Sequence, residues 1–244
     1  MVLNTETLAM SSPASSVGVA IVTGAARGIG RGIALRLAED GYDVGINDIS
    51  SSAEALDALA KEIAKVGRNS CVAIGDVSIA EDVENMVSTV VEKLGQLNVH
   101  NLPNEVNVII RLADVSEWEK MFAINTRGVF LSYKYAALQM IKQGKGGRII
   151  GACSIAGLKA QEWGSYGIRV NAYCPGAIDT PLFYELYGNK ENLSEIIENS
   201  KKSCALGYKG TPAEIASIVS YLASNEAHFI TGKPRSSGVS AFDY

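Results

Sequence analysis

Hydrophobic positions along this chain switch period in a regular alternation. Val17 to Val22 is an unbroken apolar run, as expected of a strand buried on both faces, and Ile29, Ile33 and Leu37 with the small Ala34 and Ala38 then recur at helical spacing until Gly41. Val44 to Ile49 is a second short strand that ends at Asp48. Leu56, Leu59, Ala60 and Ile63 mark a second helix over Ala53 to Val66, and Cys71 to Ile74 is a third strand, closed by Gly75. Val83, Val87, Val90 and Leu94 line a third helix that Gly95 ends. Three successive strand–helix units predict an α/β chain with a doubly wound parallel sheet, because parallel neighbours need long crossovers and helices commonly supply them.

The second half follows the same alternation with interruptions. Pro103 falls where an interior strand would donate ladder hydrogen bonds, which proline cannot do, so Val106 to Ile110 is the candidate strand there, with a shifted register. Glu117 to Ile141 predicts one helix with Trp118, Phe122, Val129, Phe130 and Ala137 on its apolar side. Strands follow at Arg148 to Ser154 and Gly167 to Tyr173. Thr211, Pro212 and Glu214 stand at the N-cap, N1 and N3 positions of a capping box that starts a helix through Leu222. A last strand is expected from about Ile230, although Pro234 interrupts it. Residues 1–16, rich in Ser, Thr and Ala, read as a flexible tail without the pattern of a signal peptide, and 17–244 as a single domain.

Composition narrows the partners. The 244 residues are 47% hydrophobic and 20% charged, enough to fold around a full core. Twenty-two basic against 26 acidic residues leave a formal charge of -4, which offers no cationic surface to a nucleic acid or an anionic membrane. A small-molecule partner is therefore expected. With no apolar run of about 20 residues to span a bilayer, a cytoplasmic location is expected too. Cys71, Cys153, Cys174 and Cys204 lack zinc-ligand and C-x-x-C spacing, and with only His100 and His228 beside them no metal site is predicted.

The candidate chemistry begins at the first turn. Gly24, Gly28 and Gly30 follow the first strand in a G-x-x-x-G-x-G pattern that opens into the first helix. Strand, glycine turn and helix form the unit that sets a dinucleotide pyrophosphate on a helix N-terminus, where a Cβ would block the turn or the backbone's approach to the phosphates. Asp48, 18 residues beyond Gly30 at the end of the second strand, suits the ribose hydroxyls of NAD and repels a 2′-phosphate. Arg27 inside the turn keeps NADP open.

The segment TGAARGIG, Thr23 to Gly30, resembles the glycine motif of the short-chain dehydrogenases/reductases, and the likeness extends through most of residues 17 to 232, closest in appearance to reductases of small vicinal diketones and hydroxyketones. The resemblance implies a Rossmann-type sheet and hydride transfer between a nicotinamide cofactor and a small ketone or secondary alcohol. It implies cofactor contacts at Gly24, Arg27, Gly28, Ile29 and Gly30, at Asp48, at Asp76 and Val77 beside the adenine, and at Pro175, Gly176, Ile178 and Thr180 in PGAIDT. It places Asn125 and Ser154 on the family's catalytic asparagine and serine. Leu182 to Ser203 corresponds to the substrate lid, with Phe183, Tyr184, Leu186 and Tyr187 as a candidate apolar wall.

The family's tyrosine and lysine, four apart on one helix face, would complete the site by lowering the phenol's pKa. At the tyrosine's spacing from Ser154 this chain has Gly167; Tyr166 stands one residue early with Val170 four after it, bound into a segment that matches the following turn and strand. Between Ala156 and Trp163 a helix-length stretch is missing. That stretch also supplies much of the family's dimer interface, so the homo-oligomer implied by the resemblance is in question. Two classes of function follow: an NAD-dependent carbonyl or alcohol oxidoreductase, and a dinucleotide-binding protein without turnover, such as an aberrantly spliced product would be.

Overall fold

The computed structural model describes residues 15–103, 114–152, 162–188, 191–202, 204–232 and 234–237. Among them, seven strands form one parallel sheet in the order β3-β2-β1-β4-β5-β6-β7. The strands are β1 (Gly18–Val22), β2 (Tyr42–Asp48), β3 (Ser70–Ile74), β4 (Val99–Leu102), β5 (Gly147–Ala152), β6 (Ile168–Pro175) and β7 (Pro234–Ser237). The chain starts at β1, winds outward to β3, then returns to β4 on the other side of β1. That reversal opens a crevice at the carboxyl ends of β1 and β4, the usual ligand position in such sheets.

Helices cover both faces. α1 (Gly28–Glu39), α2 (Ala53–Lys65) and the helix Pro212–Ala223 lie on one face, over Ala20, Val22, Val44 and Ile46. Ile33, Leu37, Leu56, Leu59 and Ile63 are fully buried there. On the other face, α3 (Ala80–Leu94) and α5 (Val129–Gln143) pack over Val19, Ile21, Ile149 and Val170. The capping box forms: Thr211 N–H donates to Glu214 Oε2 at 2.7 Å, and Glu214 N–H to Thr211 Oγ1 at 3.4 Å.

Three expectations are corrected. Pro103 does not break an interior strand, since β4 ends at Leu102 and already pairs with β1 and β5; Val106 to Ile110 lies outside the described residues. Pro234 opens β7 at the edge of the sheet, paired with Ala172, where a missing N–H at a strand's first residue is tolerated. The helix expected over 117–141 is two helices, α4 (Val115–Phe122) and α5, joined by a π-helical turn at Ala123–Gly128. The expected apolar side is divided: Val129 and Ala137 are buried, while Trp118, Phe122 and Phe130 are 48%, 43% and 56% exposed.

The connection from β5 to β6, residues 153–167, is the shortest crossover in the sheet.

Candidate functional site

The glycine turn is pinned to both neighbouring strands. Thr23 N–H donates to Asn101 O on β4 at 3.1 Å, and Ala25 N–H to Asn47 O on β2 at 2.9 Å. Gly24 and Gly28 take φ of +57° and +55°, a region that favours glycine. A Cβ on Gly30 would stand 2.1 Å from Gly24 O, so the start of α1 can press against the turn only because residue 30 has no side chain. Arg27 is the N-cap residue and makes no side-chain cap hydrogen bond, nor does the first turn carry an acidic residue. The positive end of the helix dipole thus faces the crevice with no acidic side chain in its first turn, which suits an anion.

Asp48 ends β2 beside this turn. Its Oδ2 accepts from Ala26 N–H at 3.1 Å and its Oδ1 from Ile49 N–H at 2.9 Å, so the carboxylate is oriented by two backbone donors and keeps accepting capacity toward solvent. Asp76 follows β3 and accepts from Ser78 N–H at 2.8 Å, which makes it a turn-capping residue in this structure. Val77 packs on Gly128, where a Cβ would meet its Cγ2 at 3.0 Å, and so couples the end of β3 to the π-helical turn.

A cavity of about 560 Å³ lies at the carboxyl edge of the sheet. Ile29 from the start of α1, Asn125 from the π-helical turn, and Pro175, Gly176, Ile178 and Thr180 after β6 all line it. Residues far apart in sequence are therefore brought together. Ile178 forms an isolated bridge with Gly210, and Thr180 caps the helix Pro181–Tyr187 by accepting from Phe183 N–H at 3.4 Å. Leu182, Phe183, Leu186 and Tyr187 supply an apolar wall. Tyr184 does not belong to it: 44% exposed, its hydroxyl donates to Asp179 Oδ1 at 2.8 Å. Two helices, Pro181–Tyr187 and Leu193–Lys202, make up the described part of the lid.

Ser154 lies outside the described residues. Tyr166 is 52% exposed at the end of the short turn Gly164–Tyr166, just before β6 begins. It therefore sits at the amino edge of a parallel sheet whose glycine turn, Asp48 and Asn125 belong to the carboxyl edge. Rotamer changes do not carry a side chain across a sheet.

Two features escaped the sequence reading. Arg27 and Glu185 of the lid helix form a two-pronged ion pair, NH1 to Oε1 and NH2 to Oε2. A second, larger groove of about 1430 Å³ runs along the outer side of α4 and α5, lined by Trp118, Phe122, Phe130, Leu138 and Trp163. The helical spacing of Trp118 and Phe122 was the available signal for this groove, but it reads equally well as core.

Known proteins resemble this chain over nearly its whole length. A family model described as short chain dehydrogenase matches residues 18–162, and one described as enoyl-(acyl carrier protein) reductase matches 158–235. A short-chain dehydrogenase/reductase of Armillaria gallica is 40% identical over 252 residues, covering 92% of this chain and 96% of the relative. A diacetyl reductase [(S)-acetoin forming] of Staphylococcus epidermidis is 34% identical, covering 88% and 94%. The crystal structure of carveol dehydrogenase from Mycobacterium avium in complex with NAD superposes with a TM-score of 0.80 at 25% identity, over 92% of this chain and 97% of that one. The Armillaria alignment is longer than the 92% of 244 residues that take part in it, so the relative carries positions with no counterpart here.

Proposed function

The chain belongs to the short-chain dehydrogenase/reductase family, and from that premise we propose that it binds a nicotinamide dinucleotide across the carboxyl edge of the sheet, NAD before NADP, and that its site is built for a small uncharged ketone or secondary alcohol. The single cavity that joins Ile29, Asn125 and the Pro175–Thr180 segment carries this reading. The glycine turn fits a dinucleotide on the observations above: a close backbone approach that only glycine permits, and a helix N-terminus without an acidic first turn for the pyrophosphate. Gly24, Arg27, Gly28 and Gly30 would hold the phosphates, Asp48 the ribose hydroxyls, Asp76 and Val77 the adenine, and Ile178 and Thr180 the nicotinamide end. The cofactor when bound supplies the hydride acceptor or donor.

The protein's own part is to orient the carbonyl, exclude water and handle one proton. Phe183, Leu186 and Tyr187 shield the cavity with apolar surface, which favours an uncharged substrate. A vicinal diketone or its hydroxyketone is the proposed substrate, in keeping with the Staphylococcus relative's name. Negative charge grows on the carbonyl oxygen as hydride arrives, so a hydrogen-bond donor must be aimed there and a proton must follow. Ser154 would donate the hydrogen bond and Asn125 would hold a water in the proton path.

The position of Tyr166 favours a second reading, in which the dinucleotide binds but turns over poorly. A general acid is worth about 10² to 10⁴ in rate, and without one a rate on the usual scale of about 1 to 10³ per second falls close to background. Calorimetric titration of the full chain with NAD, followed by NADH oxidation with a panel of vicinal diketones, separates the readings. Binding with near-background oxidation is expected. No binding at millimolar NAD rejects the cofactor site, and turnover of several per second that disappears in Tyr166→Phe restores Tyr166 as the acid.

A further inference from the structure

Two sets of contacts hold the helix Pro181–Tyr187, and they tie it to different parts of the molecule. Lys209 Nζ donates to Asp179 Oδ1 at 2.8 Å and Tyr184 OH at 3.2 Å, and stands 4.2 Å from the Phe183 ring centroid. These contacts draw the Asp179 carboxyl below its ordinary pKa, chiefly through the hydrogen bond from Lys209, and fix the helix to its own half of the chain. Glu185 instead crosses the crevice. Its two carboxylate oxygens engage both terminal nitrogens of Arg27, the basic residue of the glycine turn.

Arg27 follows Ala26, whose N–H is bonded to Asp48. The Arg27 cation therefore stands one residue from the backbone group that holds the ribose-facing carboxylate of Asp48. A phosphate on the ribose 2′-oxygen would meet Asp48 unfavourably unless a guanidinium offset it, and a guanidinium fork serves a carboxylate or a phosphate with the same paired donors. The occupant of that fork here is Glu185. Both partners are about half exposed, at 46% and 53%, so the pair is weak enough for a ligand to compete with it.

We propose that Glu185 helps to set the choice of dinucleotide: by occupying the Arg27 fork from the lid, it withholds the cation that a 2′-phosphate needs and leaves Asp48 unopposed. This inference rests on the cofactor reading above. The test is calorimetric titration of the full chain with NAD and with NADP, in the unmodified protein, in Glu185→Gln and in the double variant Arg27→Ala/Glu185→Gln. Glu185→Gln should bind NADP about fivefold more tightly, the scale of an exposed ion pair, with NAD changed by less than twofold. The double variant should lose the gain. A change in the NADP-to-NAD affinity ratio below twofold in Glu185→Gln overturns the proposal, as does a gain that survives in the double variant. Failure of the unmodified chain to bind either dinucleotide removes the cofactor reading and this inference together, whereas binding with an unchanged ratio removes only the inference. Circular dichroism of each variant establishes that it is folded, as expected for exposed side chains.

Discussion

The two faces of the sheet are built from the same kind of strand but are covered to different extents. On the face of α1, α2 and Pro212–Ala223, three helices seal an aliphatic core, and the glycine turn and Asp48 sit at its carboxyl edge. On the other face, α3 and α5 cover the middle of the sheet, the β5–β6 crossover is the shortest of all, and the outer side of α4 and α5 leaves Trp118, Phe122, Phe130 and Leu138 between 43% and 56% exposed around an open groove. The difference teaches that the two faces can be perturbed separately: the glycine turn and Asp48 lie at the edge of the sealed one, and the open groove lies on the other.

Breaking the buried ion pair between β2 and β3 should have the largest effect. Arg68 donates to Asp43 Oδ1 at 2.7 Å, with side chains only 8% and 10% exposed, and Asn69 N–H donates to the same oxygen at 2.8 Å. Asp43→Ala removes the carboxylate from this buried arrangement and should lower stability by about 3 to 5 kcal/mol in urea titration. A loss below about 1 kcal/mol would mean that the edge between β2 and β3 is far softer than its burial indicates.

The second face should reveal itself through pH. His100 on β4 is fully buried, paired in register with Ile21 and Ile149 of that face's core, and neither ring nitrogen has a hydrogen-bond partner. Burial lowers its pKa from 6.5 to about 4. The unfolded chain then takes up the proton first, so the stability that depends on neutral His100 is complete above pH 6.5 and is lost as the pH falls toward 4. The full loss is about 3 kcal/mol. Urea titrations across this window should show the decline in the parent and a flatter profile in His100→Leu; identical slopes would show that His100 does not carry it.

The smallest effect should come from the open groove. Phe130→Ser or Leu138→Lys replaces an exposed apolar side chain, so stability should stay within about 0.5 kcal/mol while light scattering records less association. A large loss of stability from either change would show that the groove is packed in solution.

Much of the cofactor half was legible because its signals are local. The period of Ile29, Ile33 and Leu37, the glycines before them and Thr211-Pro212-Glu214 each report on neighbours within a turn or two, and strand, helix and cap formed where these patterns stood. The site at the carboxyl edge was legible only through family resemblance, since no local rule brings Asn125 to Ile178. Pro103 and Pro234 misled because a proline at a strand's end and one within it look alike in sequence. The single apolar side predicted for 117–141 failed because Trp118, Phe122 and Phe130 turn to the surface, and apolar spacing alone does not say whether a face meets the core.

The sequence by itself determined the alternation of strands and helices, the glycine turn and the carboxylate that follows it, because backbone sterics and hydrophobic period act over a few residues. Only the tertiary structure decided which edge of the sheet each candidate reached. It put Tyr166 at the amino edge and Asn125 at the carboxyl edge, turned Trp118 and Phe130 outward, buried His100 without a partner and joined Arg27 to Glu185. Those outcomes depend on which strand pairs with which, and they are settled by contacts between segments that no local pattern encodes.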